Sequence, residues 1–319
     1  MTGLIVIKKR YTMTKRIAVI NDLSGFGRCS LTAAIPVISV MGAQPCPLPT
    51  AVLSAQTGFS SYYFDDYTEK MEYFRQEWEK MGACFDGIYT GFMGSDAQIQ
   101  QVFCFLDTFY KEDTVLLVDP IMGDEGTRFS FCTDTLLCDM KALAARADVV
   151  TPNLMELCLL TDSDYKEIIR IAREKEGPAD SVLDKPENGD LNFCRNKEHL
   201  IKEIERLAGE LLAQGVKTVI VTGIRFFDEK EDQMKIGNLT VTKQRTELSA
   251  FPYIGGSFSG TGDLFASVVA GGIIRNDDIF QTVELAGAFI GAATSDSAKE
   301  RVSRNEGANF EKYLGMLLK

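Results

Sequence analysis

The sequence has a single histidine, His199, in 319 residues. That scarcity excludes Ser-His-Asp nucleophile systems and any metal site built from several imidazoles. His199 lies in NKEHLIKEIERL, a charged amphipathic helix pattern, so a solvated surface position is its expected place. No Gly-Lys pair occurs anywhere, which removes the Walker-type loop and the lysine it aims at the β- and γ-phosphates. No CxxC pair occurs among the cysteines at 29, 46, 84, 104, 132, 138, 158 and 194. They read as reduced, mostly buried thiols of a cytosolic protein, Cys104 in VFCFL being an example. No run approaches the roughly 18 apolar residues of a membrane span. The N-terminus MTGLIVIKKR, a short apolar run followed by bases, lacks the charge order of a secretory signal, and residues 1–14 are expected to be an extension. A basic excess is missing too: 34 Lys and Arg against 45 Asp and Glu leave a net charge of −11. Neither a nucleic-acid backbone nor an anionic membrane would attract that balance.

What is present is an ordinary globular composition, 45% hydrophobic and 25% charged. Apolar strand-like runs alternate with helix-length segments. Strands are predicted at 16–21, 44–50, 87–92, 114–120, 147–152 and 217–223, and helices at 30–41, 67–81, 95–110, 133–145, 153–161 and 198–214. This rhythm implies an α/β fold, a three-layer α/β/α sandwich around a mainly parallel sheet. After residue 223, MKIGNLTVTK and QRTELSAFPY read as an antiparallel pair at the sheet edge, followed by helices at 261–273, 277–296 and 307–317. Residues 173–197 are polar and aperiodic, an exposed insertion in one domain spanning 15–319.

In such sheets ligands gather at the carboxyl ends of the strands, and loops rich in Gly, Ser, Thr and Asp fall there together. The strongest is SFSGTGDLFAS. The amides of Gly260, Thr261 and Gly262 precede a helix and can converge on an anion. Equally, Thr261 or Asp263 can simply cap that helix, and the local residues leave cap and cradle level. If the anion is a transferring phosphoryl group, the chemistry needs donors, a metal and a base for a hydroxyl proton. Asp263 is the candidate base. Asp119, Asp124 and Glu125 in VDPIMGDEG supply carboxylates for Mg²⁺, and Asn153 with Glu156 in NLME offers a second cluster, although that pair also fits a capping box. A dinucleotide fingerprint fails: GFGRCS has Ser30 at the third glycine position, and the acid expected after the second strand is missing from QPCPLPT.

These motifs, in this order, resemble the ribokinase-like superfamily and within it the pyridoxal kinases, from about Arg16 to Ile290. GTGDLFAS is similar to the family's anion-hole and base signature; VDPIMGD, DVVTPNLMEL and TGFMGS also match, and LPTAVLSAQTGF resembles the family's substrate-side segment. The resemblance implies that Asp263 takes the proton of a vitamer's 5′-hydroxymethyl group while the amides of Gly260, Thr261 and Gly262 hold the γ-phosphate. It places Asp119, Asp124 and Glu156 on the metal side, Asn153 and Thr222 near the nucleotide, and Asp22, Thr50 and Phe92 near the pyridine ring. It implies Mg²⁺ with ATP as donor, leaves a monovalent cation open, and implies a cytoplasmic homodimer. Asp22 stands where the family usually has serine, Phe92 where it often has tyrosine, and Ser54-Ala-Gln-Thr57 replaces SNHT, so the ring pocket is altered. An aspartate beside the ring suggests a preference for pyridoxamine. A hydroxymethylpyrimidine kinase and a non-catalytic vitamer- or nucleotide-binding protein are the competing readings.

Overall fold

In RIAVIN the side chains alternate between two buried environments: Ile17 and Val19 join one apolar cluster, Ala18 and Ile20 another. A strand buried on both faces must be covered on both faces, and the computed structural model, which describes residues 14–173 and 197–318, shows how. The chain runs through β1 (Arg16–Ser24), α1 (Ser30–Val40), β2 (Gln44–Leu53), β3 (Phe64–Asp66), α2 (Thr68–Lys80), β4 (Gly87–Thr90) and α3 (Asp96–Phe109). It continues through β5 (Val115–Val118), the short hairpin β6 (Gly123–Asp124) and β7 (Thr127–Arg128), α4 (Asp134–Ala145), β8 (Val149–Val150), α5 (Leu154–Leu160), α6 (Tyr165–Arg173) and α7 (Lys197–Gln214). The last part holds β9 (Thr218–Asp228), β10 (Gln233–Thr242), β11 (Thr246–Pro252), α8 (Thr261–Arg275) and α9 (Ile279–Lys299).

One sheet has the order β11-β10-β9-β8-β5-β4-β1-β2-β3. The six strands from β2 to β9 in that order are parallel, and β3, β10 and β11 are antiparallel at the two edges. Helices α1, α8 and α9 cover one face, burying Leu31, Val37, Leu264, Val268 and Phe289 against Val19, Tyr89 and Leu117. The other face packs Ile88, Val118 and Val219 under α3, α4, α5 and α7. The three-layer, ribokinase-like architecture expected from the sequence is the one observed. β1 sits between β2 and β4, so the connections leaving it diverge and open a crevice at its carboxyl end.

Several expectations need correction. The C-terminal α-helix predicted at 307–317 is two 3₁₀ segments, Arg304–Glu306 and Glu311–Leu317, separated by Gly307 at φ 79°, where a right-handed helix cannot continue. α6, β3 and the β6–β7 hairpin were not legible as elements, the strands being too short to show a period. The thiols are not mostly buried: Cys29, Cys132 and Cys158 are, while Cys84, Cys104 and Cys138 are exposed. Cys104 has apolar neighbours in sequence, but α3 buries Val102, Phe105 and Leu106 and turns Cys104 outward. His199 is half-buried in the first turn of α7 rather than freely solvated. The proposed extension, apart from Thr14, and the proposed insertion, apart from its end residues 173 and 197, lie outside the described residues. Among the described residues no helix is long and apolar enough to cross a membrane.

Candidate active site

A cavity of about 540 Å³ opens at the carboxyl ends of the parallel strands, within the range of small-molecule sites. The amino end of α8 forms part of its wall through Gly260, Thr261 and Gly262. Gly260 takes the N-cap position at φ 82°, and no side chain caps the helix. A Cβ at Gly260 would collide with the Arg28 carbonyl, so glycine is required both by conformation and by packing. Thr261 turns its hydroxyl back to the Phe258 carbonyl (3.1 Å), and a Cβ at Gly262 would meet only open space. Of the two readings that the sequence left level, the capping one fails: neither Thr261 nor Asp263 spends its side chain on the helix end. The first-turn amides remain facing a cavity, with the positive end of the helix behind them.

Asp263, in that first turn, is buried. Its carboxylate accepts from Asn21 Nδ2 (2.9 Å) and from the Ser30 backbone amide. Burial, reinforced by the nearby Asp22, raises its pKa to about 6, while the Ser30 amide and the Asn21 side chain act to keep the charged form. A carboxylate so placed is ionised at neutral pH yet basic enough to accept a hydroxyl proton. Ser30 has a left-handed backbone, φ 49°, which costs energy for a residue other than glycine; it begins α1 and gives its amide to the Asp263 carboxylate. Asn21 does more: its Oδ1 also accepts from the amides of Asp22 and Phe92, both at 2.9 Å. One buried amide side chain thus ties β1, the loop after β4 and the amino end of α8 together. Gly91 makes room for it, since any Cβ there would press on the Asn21 side chain. Sequence reading missed Asn21 and Ser30. The available signal was a polar residue closing the otherwise apolar strand RIAVIN.

The acidic residues divide. Glu156 lines the cavity and accepts from the Asn153 and Met122 amides (2.8 and 3.1 Å); burial and then Asp119 raise its pKa well above the usual carboxylate range. Asn153 and Glu156 form the capping box of α5, and the Asn153 side-chain Nδ2 donates to the Gly123 carbonyl (2.8 Å). Asp119 is buried behind the wall, accepting from the Thr151 hydroxyl (2.8 Å), with its pKa raised to about 7 by burial and by Asp263. Asp124 and Thr222 stand on the cavity wall, Asp124 exposed and Thr222 bridged to Asn153 through the backbone. Among the described residues no three acidic, cysteine or histidine side chains converge into a metal-holding group. The expectation that Asp119, Asp124 and Glu156 form a metal cluster is corrected to that extent. The donor set still suits Mg²⁺, which retains water and phosphate oxygens and needs only one or two carboxylates.

Asp22 and Phe92 line the cavity, together with Gln56 and Thr57 from the SAQT segment. Asp22 accepts from the Ser24 hydroxyl (2.8 Å) and from the Ser30 side chain, and burial raises its pKa. The Phe92 ring meets Phe131 edge-on at 5.0 Å. Thr50 is fully buried and off the cavity wall, its hydroxyl given to the Phe92 carbonyl (3.0 Å), so it supports Phe92 rather than presenting a group to the cavity. The Cys29 thiol, also on the wall, is pushed up to about 12 by burial and by Asp263 and Asp22, which makes it a neutral lining group and not a nucleophile.

The site is thus a cavity at the carboxyl ends of the parallel strands, with an uncapped helix end on its wall and a buried carboxylate in the first turn of that helix. A sequence profile of the phosphomethylpyrimidine kinase family matches residues 186–308. A Bacteroides thetaiotaomicron crystal structure, provisionally named phosphomethylpyrimidine kinase, is 32% identical with a TM-score of 0.81, covering 97% of this chain and 96% of that one. A second crystal form of it, 33% identical with a TM-score of 0.79 over 95% and 96% of the two chains, was solved with pyridoxal. A Schizosaccharomyces pombe protein provisionally named pyridoxal kinase is 29% identical over 193 residues, 59% of this chain and 46% of that protein. The match therefore spans about half the length of that curated relative. The Bordetella avium pyridoxine/pyridoxal/pyridoxamine kinase is 22% identical over 83% of this chain and 79% of its own length. The chain belongs to the family of pyridoxal and phosphomethylpyrimidine kinases, within the ribokinase-like superfamily.

Proposed function

We propose that this protein transfers the γ-phosphoryl group of Mg-ATP to the 5′-hydroxymethyl group of a B6 vitamer: pyridoxal, pyridoxine or pyridoxamine. The observation that carries the reading is the pairing of an uncapped helix end at Gly260–Gly262 with the buried base Asp263, one residue further on. Asp263 receives the hydroxyl proton, the α8 amides hold the charge developing on the transferred group, and Asn21 and Ser30 keep the base aimed. Glu156 and Asp124, with Asp119 behind them, would hold Mg²⁺, which would supply positive charge to the nucleotide phosphates. Thr222 and Asn153 line the nucleotide side; Asp22 and Phe92, the latter supported by Thr50, line the ring side. The pyridoxal complex of a relative 33% identical over nearly the whole chain supports this acceptor class.

A hydroxymethylpyrimidine acceptor is the second reading, favoured by the family profile and by the provisional name of the Bacteroides relative. Incubation with Mg-ATP and each acceptor separates the two. Turnover of the pyrimidine with no B6 vitamer phosphorylated overturns the first reading, and binding without turnover of either points to a binding protein. Within the B6 reading, Asp22 favours pyridoxamine, whose ammonium group can pair with a carboxylate already ringed by hydroxyls. The ratio of kcat/KM for pyridoxamine over pyridoxal should fall in Asp22→Asn; an unchanged ratio removes the assignment. A homodimer in the cytoplasm completes the proposal.

A further inference from the structure

A nucleoside triphosphate brings several negative charges into this cavity, and the wall already carries Asp22, Asp124, Glu125 and Glu156. Metal and helix amides offset part of that charge. The chain has no Walker lysine, and among the described residues no lysine lines the cavity at all. Two arginines do, Arg225 and Arg304. Arg225 is committed: it pairs with Glu125 at 2.5 Å and lies over the Tyr253 ring, 5.4 Å from its centre. The Arg304 guanidinium has neither an ion pair nor a hydrogen-bond partner among the described residues. Exposed to solvent, that guanidinium stands on the wall of an acidic cavity where an arriving anion can reach it.

Its backbone is anything but loose. The 3₁₀ turn Arg304–Glu306 is bonded to three of the loops that build the site. The Arg304 carbonyl accepts from the Ser259 amide (3.0 Å), directly ahead of the Gly260 cradle, and the Glu306 carbonyl accepts from the Arg28 amide (3.0 Å) between β1 and α1. Asn305 closes the third side: its carbonyl accepts from Gln56 Nε2 (3.0 Å) and its own amide donates to the Gly58 carbonyl (2.6 Å). A fixed turn thus carries a free guanidinium beside the phosphate cradle.

We propose that Arg304 is a catalytic residue that contacts the terminal phosphate of the bound triphosphate, supplying at the mouth of the site the cation that a Walker lysine supplies in other nucleotide-binding folds. The inference rests on the nucleotide reading above, and its test is chosen to fail separately from it. Calorimetric binding of Mg-AMP-PNP and of Mg-ADP is measured for the wild type, Arg304→Ala and Arg304→Lys. Loss of a charge-assisted contact to the γ-phosphate should weaken AMP-PNP by roughly 10- to 100-fold in Arg304→Ala while ADP changes by less than about twofold. Lysine, a point charge without the guanidinium fork, should restore only part of the loss. Because the turn is held by backbone carbonyls and by Asn305, the unfolding temperature should stay at the wild-type value. Equal weakening of both nucleotides, or of neither, overturns the role of Arg304. A wild type that binds neither nucleotide overturns the nucleotide reading itself.

Discussion

Replacing Asn21 tests how the base is held. Its Nδ2 donates to Asp263 Oδ1 at 2.9 Å in a buried setting, and a hydrogen bond to a charged group contributes about 1.5–3 kcal/mol. That bond favours the ionised carboxylate. At about 1.4 kcal/mol per pH unit, its loss should move the acid limb of kcat/KM upward by roughly one to two pH units from about 6. Activity falls on the acid side because a base must be deprotonated to act. At pH 6 the ionised fraction would drop from about half to about a tenth or less, so the defect in Asn21→Ala should deepen as pH falls and shrink toward pH 9. Asn21→Ala also leaves the Asp22 and Phe92 amides without their acceptor, lowering the unfolding temperature. Asn21→Asp separates the effects: it can still accept both amides, but it loses the donor and sets a second negative charge against Asp263. Asp22 also faces Asp263 and disfavours further negative charge there, while Asp263 in turn holds the nearby Asp119 carboxyl, Cys29 thiol and Tyr89 hydroxyl toward their neutral forms. The limb should therefore move further in Asn21→Asp than in Asn21→Ala, with less loss of stability. An acid limb within about 0.3 pH units of wild type in both variants would refute the reasoning, whatever happens to kcat.

Asp263→Ala removes the base itself, and kcat should fall about 10²- to 10⁴-fold in steady-state assays while nucleotide affinity changes little. Gly260→Ala forces a side chain into left-handed backbone and against the Arg28 carbonyl; thermal unfolding should report a loss of about 1–3 kcal/mol or more, with weaker nucleotide binding. Asp119→Asn should stabilise the metal-free protein at high pH. Folding raises the Asp119 carboxyl from 3.8 to about 7, so between those values the unfolded chain is ionised while the folded one keeps its proton, and wild-type stability declines as pH rises. Denaturant unfolding in EDTA should show the variant gaining a few kcal/mol on wild type at pH 8 and nothing at pH 4; a gap independent of pH would disprove the assignment.

The sequence alone determined the fold class, the six parallel strands and the antiparallel edge formed by β10 and β11. Those depend on properties each segment carries by itself: apolar runs of strand length, helical periodicity, and small polar residues clustered where strands end. The glycine pattern before Asp263 was legible for the same reason. It did not decide whether that helix end is capped, because a cap is a hydrogen bond and not a residue type; the fold turned Thr261 toward Phe258 and Asp263 toward Asn21. Nor did sequence spacing separate Glu156, on the cavity wall, from Asp119 behind it, or show that Thr50 supports Phe92 from outside the cavity. Asn21 and Arg304 lie 242 and 41 residues from Asp263 along the chain (263 − 21 and 304 − 263), and local pattern says nothing about such separations. Tertiary structure decided those roles because the switch point between β1 and β4 and the 3₁₀ turn after α9 bring three distant segments to one cavity.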